Sequence, residues 1–108
     1  MKFDMNKMLQ EAQRMQDELA KAQEEAAGEI VEASAGGGMV TVKANGAGEV
    51  VEIRIDPRAI DPDDPELLAD MILAAVNEAL RSAQGLMQSK MSGIVPGDLG
   101  GLGGLLPG

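Results

Sequence analysis

Cysteine, histidine, tryptophan and tyrosine are all missing from these 108 residues, and Phe3 is the one aromatic side chain. Without cysteine there is no disulfide framework and no thiolate chemistry. Without histidine or tyrosine, the hydroxyls of Ser34, Thr41, Ser82, Ser89 and Ser92 stand in no sequence context that would activate them. The chain therefore reads as a non-enzyme, with no cofactor, no metal and no small-molecule substrate. It also lacks any stretch near the roughly 18 uninterrupted apolar residues that a membrane span needs. Its charged start, Met1-Lys2-Phe3-Asp4, has no apolar run of the signal-peptide kind. A soluble cytoplasmic protein with no membrane partner is expected. Basic charge is scarce too. The formal net charge is −9, and taken alone it argues against a nucleic-acid partner.

What is present is apolar mass in small and flexible side chains, within an ordinary 44% hydrophobic content. Met1, Met5, Met8, Ala12, Met15, Leu19, Ala22 and Ala26 recur at three- and four-residue steps, which predicts one long helix from about Phe3 or Asp4 to Ala27, stopped by Gly28. Asp4, Lys7, Glu11, Arg14, Glu18, Lys21 and Glu25 alternate in sign beside that seam. Such a helix reaches roughly 36 Å at about 1.5 Å per residue, more than a domain this small covers by itself. It is expected to meet a second chain, and a core of small residues favours the same conclusion, an obligate homo-oligomer.

After Gly28 the period changes. Residues 29–35, 39–44 and 49–55 gather β-branched side chains and approach alternation, clearest in Val51, Ile53 and Ile55 against Glu52 and Arg54. Gly36-Gly37-Gly38 and Asn45-Gly46-Ala47-Gly48 separate them, which predicts an antiparallel meander. Asp56-Pro57 breaks the ladder, and Asp61-Pro62-Asp63-Asp64-Pro65 is a stiff acidic connector. Asp64 then suits the cap and Pro65 the first position of a second helix running to about Met91. Leu68, Ile72, Ala75, Val76, Ala79 and Ala83 would form its buried face. The fold class is α+β: residues 1–91 form a single α-β-β-β-α domain, and residues 92–108 form a Gly/Leu/Pro-rich tail. That tail holds seven of the chain's 14 glycines, so ordering it costs much backbone entropy and a flexible segment is expected.

Each candidate site has a plainer competitor. The glycine clusters lack the Lys and Ser/Thr of a phosphate loop and the strand-loop-helix setting of a dinucleotide site, so they read as turns. Asp56, Asp61, Asp63 and Asp64 do not match a calcium loop and read as a capped, solvated connector. The Met seam can be a groove for partner proteins, although heptad spacing more often marks a dimer or core contact. Lys7, Arg14 and Lys21 are seven residues apart, about 10.5 Å along the helix, close to three steps of one DNA strand. Against a phosphate-binding line stands a surface of intrahelical ion pairs. Residues 1–27 carry four basic and six acidic side chains, for −2, whereas residues 28–56 and 57–91 each sum to −3.

Taken together, the start Met-Asn-Lys-Met-Leu-Gln-Glu-Ala-Gln-Arg-Met-Gln, Gly38-Met39-Val40-Thr41-Val42, Asn45-Gly46-Ala47-Gly48-Glu49-Val50, Ile55-Asp56-Pro57 and Leu73-Ala74-Ala75-Val76-Asn77-Glu78-Ala79 closely resemble the YbaB/EbfC family over residues 3–95. The resemblance implies a small bacterial nucleoid-associated protein, cytoplasmic and located on the nucleoid. It implies an intimate homodimer whose long helices project as arms in a tweezer-like shape, and binding to double-stranded DNA with little sequence preference. Carried over from the family's basic first helix, the phosphate contacts fall on Lys7, Arg14 and Lys21, with Lys2 as an extra. The alternative is a protein-interaction scaffold that uses the Met/Ala seam or the apolar tail.

Overall fold

Helix α1 (Met5–Gly28) begins where the Asp4 carboxylate accepts the Lys7 backbone N–H at 3.2 Å, which satisfies one of the donors left free at a helix start. It ends when Glu29 turns extended and donates its N–H to the Ala26 carbonyl at 3.1 Å. Gly28 is thus the last helical residue, and it takes no positive φ. The computed structural model that shows this describes residues 4–94. Met1, Lys2 and the tail from residue 95 lie outside them, while Ser92, expected to open the tail, closes the second helix.

Strands β1 (Ile30–Ala35), β2 (Val40–Asn45) and β3 (Val50–Ile55) form an antiparallel sheet in the order β1-β2-β3, the expected meander. Gly36, Gly37 and Gly38 all adopt positive φ in the first turn, where a side chain would be strained. In the second, the Asn45 side chain accepts the N–H groups of Ala47 and Glu49 at 3.1 Å each. Between β2 and β3 the register slips by one: Lys43 faces Glu52 and Ala44 faces Val50, so Val51 is the extra residue of a bulge. A single 3-10 turn (Pro57–Ala59) follows. Helix α2 (Pro65–Ser92) starts with Asp64 accepting the Leu67 N–H at 3.2 Å and with Pro65 where its missing donor costs nothing.

Alternation decides the core. Val40, Val42 and Ala44 of β2 are buried, and Ala33 of β1 lies across from Val42 on the same face. Ala75, Ala79 and Ala83 of α2 pack onto them with Leu68, Met71, Ile72, Val76 and Leu80 around the edge. Alanine at the helix contact lets the axis sit close to the sheet. The opposite face is polar, with Lys43 3.7 Å from Glu52 and Arg54 3.3 Å from the same carboxylate. Helix α2 covers β1 and β2 but scarcely touches β3. The alternating residues of β3 are consequently not covered within one chain: Val51 is 52% and Ile53 47% exposed.

The C-terminal half of α1 is anchored at the β2–β3 turn. Gly46 is buried there and donates its N–H to the Ala26 carbonyl at 2.9 Å, and Ala22 and Ala26 are the buried residues of α1. From that anchor α1 runs outward beside the end of α2. The molecule measures 74 × 33 × 16 Å, and its radius of gyration is 20.3 Å. A compact chain near this length would have a radius of about 13 Å. The excess is the arm.

Candidate nucleic-acid interface

Lys7, Arg14 and Lys21 all lie on α1, and all three are exposed. A seven-residue step turns a straight helix almost two full turns and leaves a drift of about 20°, so the three side chains follow one gently winding line. The seam residues lie about a third of a turn away, and the line is therefore not consumed by packing on α2 or the sheet.

Charge along the line is uneven. Arg14 is held by two carboxylates of its own helix, Glu11 at 2.9 Å and Glu18 at 2.8 Å. The hydrogen bond to Glu11 is the larger cause that raises the guanidinium above its ordinary pKa. Among the described residues neither Lys7 nor Lys21 has an ion pair within 4.0 Å. A phosphate approaching Arg14 thus exchanges with solvated carboxylates, whose ion pairs in water contribute only about 0–1 kcal/mol. At Lys7 and Lys21 it meets free ammonium groups. Lys2 lies outside the described residues.

The fold adds neighbours that sequence spacing did not single out. Gln10, Gln13, Arg14, Asp17, Glu18 and Lys21 line a shallow groove along α1. Gln10 sits four residues before Arg14 and Gln13 four before Asp17, and both bring neutral amide donors, a signal present in the helical period itself. Lys90 had no such signal. It lines a second groove with Glu18, Lys21, Ala22, Glu25 and Ile94, and its Nζ lies 2.6 Å from Glu29 Oε1. That hydrogen bond, followed by the charge of Glu29, raises the Lys90 pKa. Lys21 and Lys90 meet only because α1 and α2 run side by side. The acidic connector makes no metal cluster: among the described residues no three carboxylates converge. Asp61 and Asp64 instead bond to the backbone N–H groups of Asp63 and Leu67.

The helix, three-strand meander and second helix also occur in the crystal structure of an uncharacterized protein from Helicobacter pylori. It superposes with a TM-score of 0.72 at 25% identity, over 82% of this chain and 92% of that one. The sequence profile of the YbaB/EbfC DNA-binding family matches residues 1–99, nearly the whole length. The chain belongs to the YbaB/EbfC DNA-binding family. Relatives are close: a nucleoid-associated protein of Saccharopolyspora erythraea is 50% identical over 109 residues, covering 97% of this chain and 93% of that protein. One of Thermoanaerobacter pseudethanolicus is 50% identical over 95 residues, covering 88% and 86%. Members of the YbaB/EbfC family are DNA-binding proteins and not enzymes, which agrees with a chain that has no histidine, cysteine or tyrosine to offer.

Proposed function

We propose that this chain is a bacterial nucleoid-associated protein of the cytoplasm that binds double-stranded DNA with little sequence preference, as a homodimer, through the basic line of α1. The observation that carries the reading is the placement of Lys7, Arg14 and Lys21 on an arm that projects from the acidic body. Lys2 extends the same basic set toward the amino terminus. Three cations on one helix face suit phosphates, and phosphates carry no base identity. The nucleoid association of close relatives supports the location, with a contribution to nucleoid organisation and gene regulation.

The homodimer reading has its own support. Strand β3 is an uncovered edge with Val51 and Ile53 exposed on it, and Leu73 of α2 is 60% exposed as well. Exposed edge strands with apolar side chains seek a partner. A protein-interaction scaffold is the second reading, and the exposed Met5, Met8 and Leu9 of the arm favour it.

Mobility shifts over a salt series separate the two readings. DNA binding by the arm requires affinity that falls with salt, and changing Lys7, Arg14 and Lys21 together to Gln should weaken unrelated duplexes by a similar factor. The salt slope should drop by up to about 0.9 per lost phosphate contact. Arg81, on α2 and paired with Glu78 at 2.8 Å, is the control. Wild-type protein that binds no duplex at low salt would leave the scaffold reading standing.

A further inference from the structure

The face of α1 turned away from the apolar seam carries uncharged amides. At about 100° per residue, Asn6, Gln10 and Gln13 lie within roughly 60° of one another and roughly 150° from the seam. All three are exposed, on the outer half of the helix. Among the described residues no hydrogen bond occupies their side chains. Each amide offers a carbonyl acceptor beside two N–H donors, so three bidentate groups stand in a row with nothing of this chain to bond.

Charge is sorted around the same helix. The basic line of Lys7, Arg14 and Lys21 lies about a fifth of a turn from the amides, and Asp4, Glu11, Glu18 and Glu25 lie on its other side, toward the seam. A duplex that approaches the amides therefore meets cations at its flank before carboxylates. Toward the root the amide stripe turns acidic at Asp17 and Glu24, which confines such an approach to the outer turns. Asn6 to Gln13 spans about 10.5 Å, close to three base-pair steps. A helix with its side chains is about 10–12 Å across and the major groove about 12 Å wide, so the projecting turns fit that groove. With the amides at its floor, the cations face the phosphates of its wall.

We propose that the outer turns of α1 lie in the major groove with Asn6, Gln10 and Gln13 on base edges, and that adenine is the base they prefer. This rests on the DNA-binding reading and adds to it a modest selectivity. Adenine presents an N6 donor and an N7 acceptor there, and a Gln or Asn amide meets both, its oxygen accepting from N6 and its N–H donating to N7. The phosphate contacts carry no base identity, so they set the sequence-independent part of the affinity and the amides set the difference between duplexes.

Three duplexes of equal length and charge test this at one salt concentration: one rich in A·T pairs of mixed order, one of G·C pairs only, and the first again with 7-deazaadenine in place of adenine. The deaza base removes the N7 acceptor from the major groove and leaves the phosphates and the minor-groove edge as they were. Wild-type protein should prefer the A·T duplex to the G·C duplex about fivefold, the low end of what one amide–adenine pair discriminates, and 7-deazaadenine should erase the preference. Gln10→Ala combined with Gln13→Ala should lose it as well, with the salt slope unchanged because no phosphate contact is removed. Both sites are exposed and alanine favours a helix, so folding should survive. A preference that persists on the deaza duplex would overturn major-groove reading. Equal binding of all three duplexes with a steep salt slope would overturn the base contacts and leave DNA binding by the basic line intact. Wild-type protein that binds none of them at low salt would remove the DNA-binding reading and this proposal with it.

Discussion

Gly46 sets where the arm leaves the body. It is buried without a positive φ, and a Cβ built on it would run into the carbonyl oxygen and Cβ of Ala26. Backbone must therefore move to admit even a methyl group. Gly46→Ala should cost about 1–3 kcal/mol in denaturant unfolding, and amide exchange near Ala26 should rise. Asp56 acts on a smaller scale at the end of β3. Its carboxylate accepts hydrogen bonds from the Arg58 side chain and then from the Arg58 backbone N–H, which hold its pKa down to about 2. The folded value lies below the unfolded one, so the stabilisation is complete above about pH 4 and is lost as pH falls toward 2. Titration followed by NMR should find the Asp56 midpoint near 2, and Asp56→Asn should flatten that part of the acid dependence.

At the level of elements, α1 is two helices in one. Its inner half is held by Gly46, by the buried Ala22 and Ala26, and by the Lys90–Glu29 pair that ties α2 to the start of β1. Among the described residues, its outer half is supported by its own hydrogen bonds, the Arg14 ion pairs and the Asp4 cap. Helices of this length are marginal in water without tertiary packing, so the outer turns depend on the anchor and on whatever covers the seam. Placing a charge at the half-buried Leu19 should lower stability by about 1–3 kcal/mol, and Leu19→Asp should raise hydrogen exchange along the arm before it affects the sheet. The replacement of Lys7, Arg14 and Lys21 by Gln acts on the same element without this effect. Of the three, Arg14 holds exposed ion pairs, which contribute only a few tenths of a kcal/mol each, so melting should barely change while DNA affinity falls.

For the whole molecule the decisive fact is a sheet only two-thirds covered. Helix α2 lies over β1 and β2, and Ile53 of β3 remains 47% exposed. Burying an isoleucine contributes about 1.5–3 kcal/mol, and a twofold contact counts it twice. Ile53→Lys should therefore weaken the proposed homodimer by roughly a hundredfold or more, read as a shift toward monomer in sedimentation at a concentration where wild type is dimeric. An unaltered dimer would move the interface elsewhere. A net charge of −9 per chain, with the basic line confined to the arm, also predicts that any DNA affinity depends steeply on salt.

Local chemistry made most of this architecture legible in the chain. Asp4, Asp64 and Pro65 mark helix starts because caps are satisfied within a few residues, and the glycine turns carry the meander because positive φ is a property of single residues. The strand ends fall within a residue of the alternation. The placement of Lys7, Arg14 and Lys21 on one line follows from the helical period alone. Only the tertiary structure decided which half of the α1 seam is buried, that Val51 and Ile53 stay uncovered, and that Lys90 lies beside Lys21. These depend on where α2 crosses the sheet and where Gly46 meets Ala26, contacts between residues far apart in the chain. Periodicity names the apolar face of an element but cannot say what packs against it, because burial is a property of the neighbours that folding brings together.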